Sequence, residues 1–216
     1  LCVHLTYVPY LAAAGELKTK PTQHSVKELQ SVGIQPDILV LRTEHNLSTN
    51  LKKKVALFCN VDESAVVQSM DMPTIYEVPL RMQEQKLDVT ILEKMGLPVG
   101  ETPELGPWKD FLNRRHNATE KVKIGLVGKY DLQDAYKSIL EALSQAATYN
   151  DRKADIHFIN SEKLTDENVE ESLKEMDGII ICPGFGQRGI EGKFVALKYC
   201  RTHNVPTFGI CLGMQC

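Results

Sequence analysis

No apolar run in this 216-residue chain approaches the roughly 20 residues a membrane-spanning helix needs. Residues 178–182 are typical of the longest, so no membrane partner is expected. The sequence opens at Leu1 without a basic segment and a long apolar stretch behind it, so no secretory signal is visible. Neither sign of charge prevails: 25 Lys and Arg against 28 Asp and Glu leave a net charge of −3. That balance removes any bulk electrostatic case for nucleic acid or an anionic membrane. Paired cysteine motifs are missing too. Cys2, Cys59, Cys182, Cys200, Cys211 and Cys216 are scattered, with no Cys-x-x-Cys and no matching histidine spacing, which argues against structural zinc. A chain of this size with an ordinary core has no need of disulfides, so free thiols in a reducing, cytoplasmic setting are expected. Repeats and low-complexity tracts are absent, and there is one tryptophan, Trp108, expected to pack on a domain surface. What is present is average: 43% apolar and 25% charged residues, the composition of a globular protein rather than a disordered one.

The texture changes along the chain. Short strands are expected at residues 37–42, 55–60 and 74–78, each an apolar run bounded by turn residues. Helices are expected at residues 21–32, with Pro21 in the first turn and Gly33 closing it, and at 81–95, ended by Gly96 and Pro98. Glycine and proline crowd residues 98–121, where a short helix at 108–115 is also expected. From Lys121 onward strands and helices alternate. The strands fall at 122–128, 155–159, 178–182 and 205–210. Helices fall at 133–149, an acidic one at 165–176, and one at 188–203 with Phe194, Leu197 and Cys200 on its buried side. This pattern reads as α/β: two doubly wound, mostly parallel-sheet domains, both incomplete, at residues 1–104 and 121–216 with a linker at 105–120. Such folds place functional loops at the carboxyl ends of their strands.

The sharpest motif is Gly209-Ile-Cys211-Leu-Gly213-Met-Gln215, preceded by a strand. It has the form of a nucleophile elbow, Gly-x-nucleophile-x-Gly, in which the turn is so tight that the flanking positions must be small. A helix beginning after Cys211 would direct its amides at the sulfur, and the Leu212 amide would face a developing oxyanion. Against this stands the commonest fate of a free cysteine, a small buried apolar residue. The Gly-rich loop Pro183-Gly184-Phe185-Gly186-Gln187-Arg188-Gly189 tips the balance, because it ends the preceding strand and offers Gly184 as a second amide donor. It fits neither phosphate-loop pattern. The imidazoles of His157 and His203 are poorly placed as a base for Cys211, and the expectation is that the base lies beyond the chain.

Near the start, Lys18, Thr19, Lys20, Pro21, Thr22, Gln23 and His24 gather cations and hydroxyls before a helix. In an extended segment Lys18 and Lys20 would face one way, beside a helix N-terminus that suits polyphosphate. Lys52, Lys53 and Lys54 form a second cluster, expected to lead into a strand.

Together, Leu17-Lys-Thr-Lys-Pro-Thr-Gln-His-Ser-Val26, Ile34-Gln-Pro-Asp37, Ala56-Leu-Phe-Cys-Asn60, Asp134-Ala-Tyr-Lys-Ser138, Arg188-Gly-Ile-Glu-Gly192 and the elbow resemble the CTP synthase family from end to end and in order. The resemblance implies the latter part of an amidoligase domain followed by the start of a class I glutamine amidotransferase domain. It implies a ligase that makes CTP from UTP with ATP and with ammonia from glutamine, requires Mg2+, is stimulated by GTP, is inhibited by CTP, and forms a cytoplasmic homotetramer. By resemblance Cys211 is the glutaminase nucleophile, and Gly184, Leu212, Gly213, Met214 and Gln215 hold glutamine and its oxyanion. Lys18, Thr19, Lys20, Pro21, Thr22, Gln23 and Lys54 match positions that hold UTP or CTP. Arg42, Met70, Asp71 and Met72 match the ATP region, and Lys137 and Arg188 the GTP effector region. No metal ligand is expected in this chain. The family normally reads Pro-Gly-Gly-Phe-Gly where this chain has Pro183-Gly184-Phe185-Gly186, one glycine short. The magnesium carboxylates and phosphate loop are expected before Leu1 and the triad His and Glu after Cys216, so the chain alone is expected to lack both activities. Two other readings stand beside this one: a different class I amidotransferase or cysteine hydrolase, and a non-catalytic assembly module.

Overall fold

A computed structural model describes residues 1–130 and 133–216. The chain divides into two compact units, Leu1–Leu105 and Gly106–Cys216.

The first unit runs β1 (Val3–Tyr7), β2 (Tyr10–Leu11), β3 (Glu16–Leu17), α1 (Lys20–Ser31), β4 (Ile38–Thr43), α2 (Thr49–Cys59), β5 (Val66–Met70), α3 (Val78–Glu84) and α4 (Leu87–Lys94). Its main sheet has the order β1-β4-β5, parallel throughout, and β2 and β3 form a separate hairpin. The central strand β4 is apolar at consecutive positions because both of its faces are covered. Leu39 and Leu41 pack with Val26 of α1 and with Val55, Ala56 and Cys59 of α2. Ile38 and Val40 point the other way, into Val67, Met82, Leu87 and Ile91. Period-two alternation thus splits one strand between two cores.

Several elements differ from the sequence expectation. Residues 55–60 end a helix, not a strand. Ser48 caps α2 by accepting the Leu51 N–H at 3.3 Å, and Asn60 closes it in the left-handed region at φ +53°. Val55, Ala56 and Cys59 face the core while Leu57 and Phe58 are 80% and 62% exposed, so an apolar outer face imitates a buried strand. Lys52–Lys54 therefore lie on a helix. The strand expected at 74–78 is a 3-10 turn, Ile75–Glu77, running into α3, and the strand itself is β5, upstream. The single helix expected at 81–95 is broken into α3 and α4 at Lys86, whose φ is +58°. Strand β1 went unpredicted.

The second unit runs α5 (Gly106–Asn117), β6 (Lys121–Gly128), α6 (Lys137–Tyr149), β7 (Lys153–Asn160), α7 (Val169–Leu173), β8 (Gly178–Ile181), α8 (Ile190–Thr202), β9 (Thr207–Gly209) and α9 (Leu212–Gln215). The parallel sheet has the order β7-β6-β8-β9. Again both faces are packed. Val127, Ile179 and Ile181 meet Leu173 of α7 and Ala196, Tyr199 and Cys200 of α8. Leu126 and Ile180 meet Ile139, Leu140 and Leu143 of α6. Helix α5 occupies most of the stretch expected to be linker and packs within this unit, the Phe111 ring 5.5 Å from Tyr149 and the Trp108 ring 5.9 Å from Phe111. The acidic helix at 165–176 shortens to α7. Phe194 is a correction: it is 45% exposed, because the buried side of α8 runs through Lys193, Ala196 and Cys200 instead. All six cysteines are free, and among the described residues no helix is long and apolar enough to cross a membrane.

Candidate active site

Strand β9 hydrogen-bonds along β8 with Gly209 opposite Ile181, and the Ile210 N–H donates to the Ile181 carbonyl at 3.0 Å. The next residue, Cys211, reverses the chain at φ +52° and ψ −115°, a region that costs a non-glycine residue on the order of 1–3 kcal/mol. Helix α9 starts at once. The Met214 and Gln215 N–H groups donate to the Cys211 carbonyl at 3.0 and 3.1 Å, and the Gly213 N–H to that of Ile210 at 2.9 Å. The two glycines are steric necessities. A Cβ on Gly213 would lie 2.1 Å from the Ile181 carbonyl oxygen, and one on Gly209 would lie 2.5 Å from the Gly213 carbonyl oxygen. Strand and helix close on each other so tightly that neither flanking glycine has room for a side chain. Cys211 is exposed, while Cys182, one strand away, is fully buried. Burial pushes the Cys182 thiol up to about 12, opposed by the ammonium of Lys193, so it stays protonated and inert.

Beside the elbow, β8 continues into Cys182-Pro183-Gly184-Phe185-Gly186. Gly184 is half-buried and Phe185 is 84% exposed. Lys129, at the end of β6, donates from Nζ to the Phe185 carbonyl, and its stem runs 3.3 Å from where a Gly184 Cβ would be. Lys193 of α8, 1% exposed, donates to the Cys182 carbonyl at 2.7 Å. Neither lysine was singled out by sequence. The available signal was a lysine on the same stripe of α8 as Ala196 and Cys200. Leu212, Gly213, Met214 and Gln215 are all in α9, immediately after the thiol. His203 stacks on the Tyr199 ring at 4.0 Å, and His157 stands on β7, at the opposite edge of the sheet from β9. A cavity of about 560 Å³ flanks β9 and α8, walled by Phe194, Gly209, Gly213 and Met214 but not by Cys211.

In the first unit, Lys18 ion-pairs with Glu16 and stands one residue before Thr19, the N-cap of α1. The segment is not extended through Lys20. Thr19 adopts helical angles (φ −87°, ψ −12°) and Lys20 is already helical, so the extended geometry expected to turn Lys18 and Lys20 one way is not formed. Thr19 and Thr22 are buried. The Thr22 hydroxyl hydrogen-bonds to Thr6 at 2.9 Å, and Gln23 donates to the Thr19 hydroxyl at 3.1 Å. Lys20 and Pro21 are exposed. Of the three lysines on α2, Lys52 donates to Gln85 at 3.0 Å and is lowered from the usual lysine value by burial, whereas Lys53 and Lys54 are exposed. At the carboxyl ends of β4 and β5, Arg42 donates to Asp71 at 3.0 Å, flanked by Met70 and Met72. That bond raises the arginine further. Lys137 pairs with Glu141 at 3.0 Å, and Arg188 pairs with Glu162 at 3.4 Å while lying 5.8 Å from the Tyr130 ring centre. Gly184 and Cys211 thus follow the adjacent strands β8 and β9 in one unit, with α9 directly after the thiol, and Lys18–Gln23 lie together in the other. Lys137 and Arg188 each have separate partners. Among the described residues no three His, Cys, Asp or Glu side chains converge as metal ligands.

Comparison with known proteins follows the same division. The family model for the CTP synthase N-terminus matches residues 1–97, and that for class I glutamine amidotransferase matches residues 131–216. A CTP synthase of Bacteroides thetaiotaomicron is 79% identical over 218 residues, covering all of this chain and 41% of the relative. One of Porphyromonas gingivalis is 66% identical over 217 residues, covering all of this chain and 40% of the relative. A solved structure, the glutaminase domain of Trypanosoma brucei CTPS with bound acivicin, aligns over 44% of this chain and 38% of its own at 39% identity and a TM-score of 0.41. The chain spans about two fifths of the length of the relatives it matches. With the two family models laid end to end along it, and 79% identity to one of those relatives over the full length of this chain, residues 1–97 belong with the CTP synthase N-terminus and residues 131–216 with the class I glutamine amidotransferases.

Proposed function

We propose that this chain carries the glutaminase nucleophile and part of the nucleotide site of a glutamine-hydrolysing CTP synthase, which aminates UTP at the expense of ATP. The observation that carries the reading is the backbone of Cys211: an exposed thiol on a strained turn whose flanking glycines have no room for a side chain. Glutamine enters beside Gly184 and α9. The Cys211 thiolate adds to the carboxamide carbon, and the oxyanion is met by the amides of Gly184 and Leu212. The C–N bond breaks, ammonia departs with a proton, and water cleaves the thioester to give glutamate.

In the first unit, Lys18, Thr19, Lys20, Pro21, Thr22, Gln23 and Lys54 take the pyrimidine triphosphate, UTP as substrate or CTP as inhibitor. Buried Thr19 and Thr22 fix the backbone, and the lysines supply charge. Arg42, Met70, Asp71 and Met72 take ATP, whose role is to place a phosphoryl group on the uracil oxygen. Among the described residues no group of carboxylates converges as a magnesium site, so no step is assigned to the ion through them. The reading extends to GTP acting near Lys137 and Arg188 and to a cytoplasmic homotetramer; the six free thiols suit a reducing compartment.

The test is Cys211→Ala in the full-length protein. Glutamine hydrolysis is expected to fall on the order of 10³-fold or more, while CTP formation from free ammonia persists. A mutant retaining the wild-type glutaminase rate overturns the assignment.

A further inference from the structure

The turn that offers Gly184 is poorly anchored by its own side chains. Phe185 is 84% exposed, and Gly186 and Gln187 are exposed as well. Pro183 contributes no N–H. The Cys182 N–H still bonds to the sheet, donating to the Val127 carbonyl at 2.9 Å, but beyond it the chain leaves β8. Two buried amines meet the turn instead. Lys193 is 1% exposed, and its Nζ donates to the Cys182 carbonyl at 2.7 Å. Lys129 is 7% exposed, donates to the Phe185 carbonyl, and lays its stem against Gly184. One cation is therefore fixed to the carbonyl before Pro183-Gly184 and another to the carbonyl after it. A buried ammonium is kept only where its hydrogen bonds are worth its desolvation. Desolvation lowers Lys193 from the ordinary lysine value, with Lys129 adding to that and Cys216, Cys182 and Cys211 opposing it.

We propose that Lys193 and Lys129 are positioning residues that clamp the Gly184 turn beside Cys211, holding its amide where the oxyanion forms. The proposal rests on the glutamine-hydrolysing reading of Cys211. Neither lysine touches the reacting atoms. Their effect passes through two backbone carbonyls, so it is felt in the transition state rather than in substrate affinity.

The test uses Lys193→Met and Lys129→Met, which keep the stems and remove the donors. In the full-length protein each is expected to lower kcat for glutamine hydrolysis at least 10-fold. KM should stay within about 3-fold, and iodoacetamide should still alkylate Cys211 stoichiometrically by mass spectrometry. Lys129→Arg should recover most of its loss, which a packing role would not require. A folded variant of either lysine with wild-type kcat overturns the clamp. If Lys193→Met does not fold, the Lys129 pair decides alone. Should the wild type hydrolyse no glutamine, the nucleophile reading fails and the clamp is judged separately, by hydrogen exchange in the 216-residue chain. There the amides of residues 184–187 should exchange at least 5-fold faster in the Met variants, and unchanged rates overturn it.

Discussion

At the scale of single residues, two cysteines one strand apart show how place decides chemistry. Cys211 projects from a turn into solvent, whereas Cys182 is sealed between β6, β8 and α6. The buried thiol has a pH signature. Its folded value near 12 lies above the ordinary cysteine value, so between about pH 9 and 12 the unfolded chain ionises while the folded chain does not. The unfolded state then binds fewer protons, and stability falls as pH rises. Below pH 9 nothing is lost. The slope from this group approaches about 1.4 kcal/mol per pH unit; Lys193, lowered in the fold, opposes it on the acid side of its ordinary value. Urea unfolding across pH 8–11 should show the decline in wild type and a shallower one in Cys182→Ala. Cys211, Gly209 and Gly213 were legible in the sequence because the constraint is local, a turn of a few residues in which each glycine has its own clash. Lys193 and Lys129 were not, since their meaning depends on which way a helix faces and where another strand ends.

At the scale of elements, the strands of the second unit were readable because a parallel sheet covered on both faces demands continuous apolar runs. The same rule misled at residues 55–60. A helix with Leu57 and Phe58 outward has the same letters as a buried strand, and only the Ser48 and Asn60 caps tell them apart. Strand β5 escaped because Gln68 interrupts it. That side chain is spent internally, accepting the Leu47 N–H at 3.2 Å and donating to the His45 carbonyl at 2.8 Å. The helical assignment has a direct check. Leu57→Lys should change stability by no more than about 0.5 kcal/mol, as expected of an exposed site. Val55→Ala should cost about 2 kcal/mol through lost burial and a cavity. Chemical denaturation of both variants reads the contrast, and comparable losses would favour the strand.

At the scale of the whole molecule, the two candidate chemistries lie in different compact units, each with its own parallel sheet and its own pair of cores. Substitutions should therefore separate cleanly. On the proposed nucleotide reading, Lys18→Ala removes one charge-assisted phosphate contact, worth roughly 1.5–3 kcal/mol, so UTP affinity should weaken about 10- to 100-fold. Glutamine hydrolysis measured without nucleotides should not change. Isothermal titration with UTP and a glutamate-release assay distinguish the two, and unaltered UTP affinity would count against the phosphate role. A short helix near residues 108–115 was legible in the sequence; its burial of Phe111 was not, because burial is a tertiary fact. The torsion angles of Cys211 carry a last consequence. Folding alone would favour glycine at that point, since glycine adopts such angles freely. On the proposed nucleophile reading, a residue set against the preference of its own backbone is there for its sulfur, and the fold is less stable than it could be for the sake of reactivity.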